Sequence, residues 1–167
     1  MQYIDVNDIE PNPNNPREKI SRSEIADLVY SIRSVGGVLV PIVVYYDEKR
    51  KKYRLLDGER RWRASKELAK QDERFKKIPA NIINKPLKGT EHLEVMINIH
   101  YKRKQWSTAA TAKALGSLIK KIGEISISEL SRRTGLSTSR VKEALLFLRM
   151  PEDIQEKCYN GDLDEYY

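Results

Sequence analysis

Cysteine is almost missing from these 167 residues: Cys158 stands alone. A single thiol excludes an internal disulfide framework and any metal site built from several cysteines. A reducing cytoplasm is the expected compartment. The two histidines, His92 and His100, are isolated and give no metal-ligand spacing. No apolar run reaches the roughly 18 residues of a membrane helix, so no membrane is expected as a partner, and the first residues lack the basic-then-apolar order of a signal peptide. Proline and glycine are sparse, at 7 and 8 residues, while 40% of the chain is hydrophobic. That profile belongs to a folded chain and not to a linker. Acids are also missing over one long segment. From Lys102 to Gly123 there is none, against Lys102, Arg103, Lys104, Lys113, Lys120 and Lys121. The whole chain carries +7 with a pI near 9.4. This balance favours a polyanionic partner, with acidic proteins and anionic lipid as the other classes it admits.

The densest information lies between Tyr53 and Ala69. Tyr53-Arg54-Leu55-Leu56 reads as a strand running into a core. Asp57-Gly58 is a turn signal, because Asp bonds nearby backbone and Gly accepts a positive φ. Helical spacing follows, with Trp62, Ser65 and Ala69 on one face. The helix therefore opens with Arg60-Arg61, where free amides and the positive end of the dipole already favour an anion. Acids are the usual residues there, so two arginines point to an external anion, and phosphate fits best. The competing reading is a solvated basic helix. In it the arginines pair with Asp57, Glu59 and Glu67 and only hold the helix in place.

Gly58-Glu59-Arg60-Arg61-Trp62-Arg63-Ala64 resembles the GERRxRA signature of the ParB family of DNA-partition proteins. In that family the motif holds the triphosphate of CTP. Two further stretches are similar to the family: the Pro11-Asn12-Pro13 to Pro16-Arg17 loop, and Gly36-Gly37-Val38-Leu39-Val40-Pro41. The resemblance implies a phosphate-binding set of Gly36, Gly37, Gly58, Glu59, Arg60, Arg61 and Arg103. Where many members carry glutamine before the proline, this chain has Val40. Where members carry the Glu and Asn of an ENxxR motif, alignment on Arg103 places Ile99 and His100. An alternative register puts Asn98 at the Asn. Isoleucine offers Mg²⁺ no hard oxygen donor, so CTP is the implied cofactor, with Mg²⁺ absent or weak and hydrolysis slow. No metal ligands and no catalytic residues are assigned.

The remaining chain reads in order. Gln2 to Val6 alternates as a strand, and Ile9 to Arg17 is a proline-rich loop. Ser21 and Glu24 form a capping box for a helix carrying Ile25, Leu28, Val29 and Ile32, stopped at Gly36-Gly37. Val38 to Tyr46 is a β-branched run with Pro41 at the strand's beginning. Ile78 to Ile83 is a further strand. Thr90 and Ser107 are caps of two helices. Ser126 to Leu148 has the helix-turn-helix pattern: Gly135 permits the turn, and Leu136, Val141, Ala144, Leu145 and Leu148 pack the second helix back. Ser137 caps that helix, leaving Thr138, Ser139, Arg140 and Lys142 near its exposed start, the positions that enter a major groove. Ser131 departs from the small Ala usual in such motifs. Pro151 starts a last helix ended by Gly161. A helical hairpin packed for structure alone is the competing reading.

The expected fold is α+β: a small mixed-sheet domain over residues 1–88 of the ParB/sulfiredoxin-like type, then an all-α helix-turn-helix domain over 89–167, continued in longer relatives. The resemblance implies a DNA-binding protein of a plasmid or chromosome segregation system. Its partners would be double-stranded DNA, a ParA-type ATPase or adaptor, and a second copy of itself, at the nucleoid or a plasmid in the cytoplasm. A helix-turn-helix transcription regulator is the first competitor. An enzyme of the same N-terminal fold, a nuclease or kinase, is the second. Sulfiredoxin chemistry needs a cysteine beside the arginine motif, where Glu59 stands instead. A nuclease needs clustered carboxylates, and only Asp57 and Glu59 lie together.

Overall fold

The structure is a computed structural model that describes residues 1–15, 20–103 and 106–163. It divides into two compact units. The first holds Met1–Pro13 and the chain up to Leu87; the second begins at Lys88 and also takes in Asn14 and Asn15. Arg17 and Lys104 fall outside the described residues.

The first unit is a five-stranded mixed sheet with two helices. Its strands are β1 (Gln2–Asp5), β2 (Ile9–Glu10), β3 (Ile42–Asp47), β4 (Lys52–Asp57) and β5 (Lys77–Ile83), in the order β1-β5-β3-β4-β2. β3 runs parallel to β5 and antiparallel to β4, while β1 and β5 are antiparallel. Helix α1 (Arg22–Val35) precedes β3, and α2 (Glu59–Ala69) follows β4. Ile4, Val6, Ile9, Ile42, Val44, Leu55 and Ile78 form the core under α2, with Trp62 driven into it. The indole Nε1–H of Trp62 donates to the Val6 carbonyl at 2.8 Å, so this large ring is buried without orphaning its polar atom. The other flank of α2 supplies Ala64 and Leu68, which pack with Ile32 of α1 and Phe75.

Several elements differ from the sequence expectation, each for a local reason. Ile9 and Glu10 leave the proline-rich loop and pair in parallel with Tyr53 and Arg54. Arg54 fixes that loop further by donating to the Pro11 carbonyl at 3.0 Å. β3 begins only at Ile42, because Pro41 has no amide for the ladder. Leu39 and Val40 ahead of it are exposed. Between α2 and β5 the charged segment makes a short 3₁₀ turn, Glu73–Phe75, whose purpose is to bury Phe75. The Ser21–Glu24 capping box forms as expected.

The second unit is helical: α3 (Glu91–Lys102), α4 (Thr108–Ile122), α5 (Ile127–Thr134), α6 (Thr138–Phe147) and α7 (Glu152–Asn160). No helix among the described residues is long and apolar enough to cross a membrane. Ser107, Ser126 and Ser137 each accept from a backbone amide three residues on. Thr90 precedes α3 without capping it; its hydroxyl donates to Glu94 instead. Leu93, Met96, Ile97, Leu115, Leu118, Leu130 and Leu136 are fully buried and make the core. Phe147 is buried as well, a core position that the apolar spacing of α6 did not single out.

The turn between α5 and α6 is held from α3. Gly135 has φ +75°, and a Cβ there would lie 2.0 Å from Asn98 Nδ2. That amide donates to the Thr134 carbonyl at 3.0 Å. Gly135→Ala therefore meets backbone strain and a steric clash together. It is expected to destabilise the second unit by more than about 1 kcal/mol, measured as a lowered denaturation midpoint, with a larger loss than Gly161→Ala, which shares the left-handed backbone but has nothing within 4 Å of the added carbon.

Candidate nucleotide and nucleic-acid sites

β4 delivers Asp57 to the edge of the core, Gly58 turns the chain, and α2 begins at once. Gly58 has φ +95°, and a Cβ would stand 2.6 Å from Ile42 Cγ2 and 3.1 Å from Arg61 Cζ. Only glycine fits between the start of β3 and the guanidinium of Arg61. As the N-cap, Gly58 brings no side-chain acceptor, so the first amides of α2 are uncapped by their own turn.

The two arginines of this turn have different surroundings. Arg61 Nη1 donates to the carbonyls of Val40 and Pro41, both at 2.6 Å, and Nη2 donates to Asp57 Oδ2 at 2.9 Å. Asp57 is only 6% exposed. A carboxylate so placed needs a counter-charge, and the residue one helical turn away supplies it. In the structure the Arg61 guanidinium thus has three internal acceptors. Arg60 is looser. Its Nη1 lies 3.5 Å from Glu24 Oε1, both side chains are about one-third exposed (39% and 32%), and its Nε is buried without a hydrogen-bond partner among the described residues. Arg63 pairs with Glu59 at 2.6 Å. Asp57 and Glu59 thus pair with Arg61 and Arg63, and Arg60 is the most loosely held of the three arginines.

Gly36 and Gly37 end α1. Gly36 is left-handed at φ +84°, and both amides donate to the Ile32 carbonyl at 3.0 Å. Neither glycine has an atom within 4 Å of where a Cβ would be. The space beside them is open, but their N–H groups close the helix. Arg103, expected with this set, is the C-cap of α3 in the second unit. On the same helix Ile99 is half-buried, and His100 is buried with its ring stacked on Trp106 at 4.4 Å and 9°. Asn98, the alternative ligand position, is the tie to Thr134 described above. Among the described residues no group of three or more His, Cys, Asp or Glu side chains is placed to hold a metal ion.

The second candidate surface is α5, its turn, and α6. Ser131 Oγ donates to the Leu136 carbonyl at 2.6 Å and so braces the turn, which accounts for a hydroxyl where a methyl is usual. Ser137 Oγ accepts from the Arg140 amide, so this side chain serves the helix. Thr138, Ser139 and Lys142 are exposed. Arg140 is held inward: Nη1 donates to Thr108 Oγ1 of α4 at 2.9 Å and to Glu143 Oε2 at 2.8 Å. Glu143 and Leu146, not singled out from the sequence, are exposed on the same helix. Their spacing from Ser139, four and seven residues, was the available signal. On α5, Arg132 hydrogen-bonds Glu129 and holds that carboxyl below its ordinary value. Of the acid-free basic segment, Lys102, Arg103, Lys120 and Lys121 are exposed, and Lys113 lies over the Tyr159 ring at 5.2 Å.

Comparison with known proteins adds three findings. The model of the ParB N-terminal domain matches residues 1–99. The chain is 32% identical over 165 residues to a nucleoid occlusion protein of Bacillus licheniformis, covering 99% of this chain and 55% of that one. It is 33% identical over 162 residues to the protein of the same name from Bacillus subtilis, covering 97% and 54%. The chain thus spans about half the length of the curated relatives it matches. Among solved structures, it is similar to the C-terminally truncated chromosome-partitioning protein ParB of Caulobacter crescentus complexed to the centromeric parS site. The TM-score is 0.62 at 23% identity, over 98% of this chain and 80% of that one, a likeness of fold. The same protein complexed with CTP-gamma-S matches with a TM-score of 0.51 at 26% identity, over 98% and 87%.

The unequal arginines are separable by mutation. Arg61→Ala removes the ion-pair partner of the buried Asp57 carboxylate and is expected to cost about 3–5 kcal/mol. Arg60→Ala removes a half-exposed pair and should cost no more than about 1 kcal/mol. Chemical denaturation of the two variants checks this; equal losses would mean that Arg60 carries a structural load as well.

Proposed function

The chain belongs to the ParB N-terminal domain family, and from that premise we propose that it binds a specific, centromere-like DNA site in chromosome or plasmid segregation or in nucleoid occlusion. The second unit is the DNA-binding part. The observation that carries this reading is the α5–α6 geometry: a braced turn at Gly135, a capped second helix, and Thr138, Ser139 and Lys142 exposed along its start. A helix so presented fits a major groove, and the excess of basic residues supplies the sequence-independent attraction to phosphate. Lys142 is the phosphate-contacting side chain, and Ser137, Thr138 and Ser139 line the entry to the groove. Arg140 contributes as a fixed part of this surface.

The first unit is a nucleotide-responsive module. The uncapped start of α2, with Arg60 beside it, suits the phosphates of CTP. The relative solved with CTP-gamma-S supports this choice of nucleotide. Glu59 and Arg61 shape the turn, and Gly36, Gly37 and Arg103 remain members of the phosphate-binding set that the family resemblance implies. With Ile99 and His100 at the positions of the metal-binding pair, turnover is slow or absent. A ParA-type ATPase or adaptor and a second copy of the chain complete the partners.

Two measurements test this function. Lys142→Ala should weaken binding about equally on every DNA sequence and reduce the salt slope by about one; unchanged binding on all sequences removes α6 from the interface. For the nucleotide, calorimetry with CTP should give binding that Arg60→Ala weakens by about 1.5–3 kcal/mol. Absence of CTP binding by the folded protein, with and without its DNA, would leave the arginine turn a purely structural element. Rapid Mg²⁺-dependent phosphate release would overturn the assignment of Ile99 and His100.

A further inference from the structure

We propose that Glu143 is a base-reading residue of this DNA-binding surface, accepting a hydrogen bond from the exocyclic amine of a cytosine, and that Arg140 is its positioning residue. The inference rests on the DNA-binding reading above and names which side chain sets sequence preference.

Ser139 and Glu143 are four residues apart on α6, one turn along a single face, and Leu146 continues that face; all three are exposed. An acid at this place is costly if unpaired, because phosphates surround any helix lying in a groove. Arg140 removes that cost. Its guanidinium is anchored at Thr108, which is 5% exposed, and reaches Glu143 Oε2 from the inner side. Within the pair the arginine side chain is 23% exposed and the glutamate 46%, so the carboxylate is the member presented outward. Only Oε2 is engaged; Oε1 has no partner among the described residues. A neutralised pair with one acceptor oxygen facing out recognises a lone donor. In the major groove cytosine presents its N4 amine, whereas adenine sets its N6 amine beside the N7 acceptor, which repels a carboxylate. Cytosine is therefore the matching base. Arg140, whose Nη1 donates to both Thr108 and Glu143, orients the reader.

The test is in vitro selection from randomised duplex DNA with the full chain and with Glu143→Ala, Glu143→Gln and Arg140→Lys, each checked for folding by thermal melting. The wild type should enrich a site with one cytosine position that Glu143→Ala relaxes about tenfold or more while leaving the others intact. Glu143→Gln should turn that position toward adenine, since an amide offers a donor and an acceptor together. Arg140→Lys, which replaces the planar guanidinium whose Nη1 meets both Thr108 and Glu143 with a mobile ammonium, should blunt preference at that position alone. Identical preferences in wild type and Glu143→Ala would overturn the inference while leaving DNA binding intact, as would full retention of cytosine by Glu143→Gln. Enrichment of no sequence by the wild type would instead remove the DNA-binding reading, and this inference with it.

Discussion

The first unit depends on where one guanidinium goes. Arg61 ties together three points of the chain: the carbonyls of Val40 and Pro41 ahead of β3, the carboxylate at the end of β4, and the first turn of α2. Without it the carbonyls of Val40 and Pro41 lose their donor, while Asp57 keeps a charge in a nearly closed site. Gly58 is the corollary. With φ +95°, a Cβ there would meet Ile42 Cγ2 at 2.6 Å and the guanidinium at 3.1 Å, so β3 and Arg61 together close the turn to a side chain. The two most conspicuous features of the turn, a glycine and a charged pair, are therefore one packing arrangement.

The second unit solves the same problem with neutral groups. Its turn is pinned by Asn98 from α3, by Ser131 from α5, and by Thr134, whose hydroxyl donates to the Leu130 carbonyl at 2.7 Å. Each bond is modest. Together they leave the loop between α5 and α6 few alternative conformations, so α6 is carried as a rigid element. A surface meant to read bases needs that rigidity, since a recognition helix that pivots cannot keep one side chain opposite one base.

Most of the elements were legible because their signals are local. Ser21, Ser107, Ser137, Gly36, Gly135 and Gly161 mark helix ends through hydrogen bonds to residues within four positions. What escaped was non-local. The pairing of Ile9 and Glu10 with Tyr53 and Arg54 spans more than forty residues and has no periodicity to announce it. The destination of Arg61 depends on Val40 and Pro41, some twenty residues earlier. The capture of Arg140 by Thr108 crosses between helices. For the same reason the α2 turn could be recognised as charged but not divided into a tightly held arginine, Arg61, and a more loosely held one, Arg60. Glu143 was passed over because acids are not sought on a surface expected to meet phosphate; its neutralising neighbour is visible only in three dimensions.

The amides of Gly36 and Gly37 both point back into α1, closing it on the Ile32 carbonyl. Any anion that recruits those amides must first unwind the last turn of the helix. Binding there is then two linked equilibria, opening of the cap and capture of the ligand, and the apparent dissociation constant is the intrinsic one divided by the open fraction. If the cap is open one per cent of the time, affinity drops about a hundredfold from that of a preformed site. Residues that never touch the ligand, such as Ile32 in its apolar cluster, would thereby set the concentration at which the site responds.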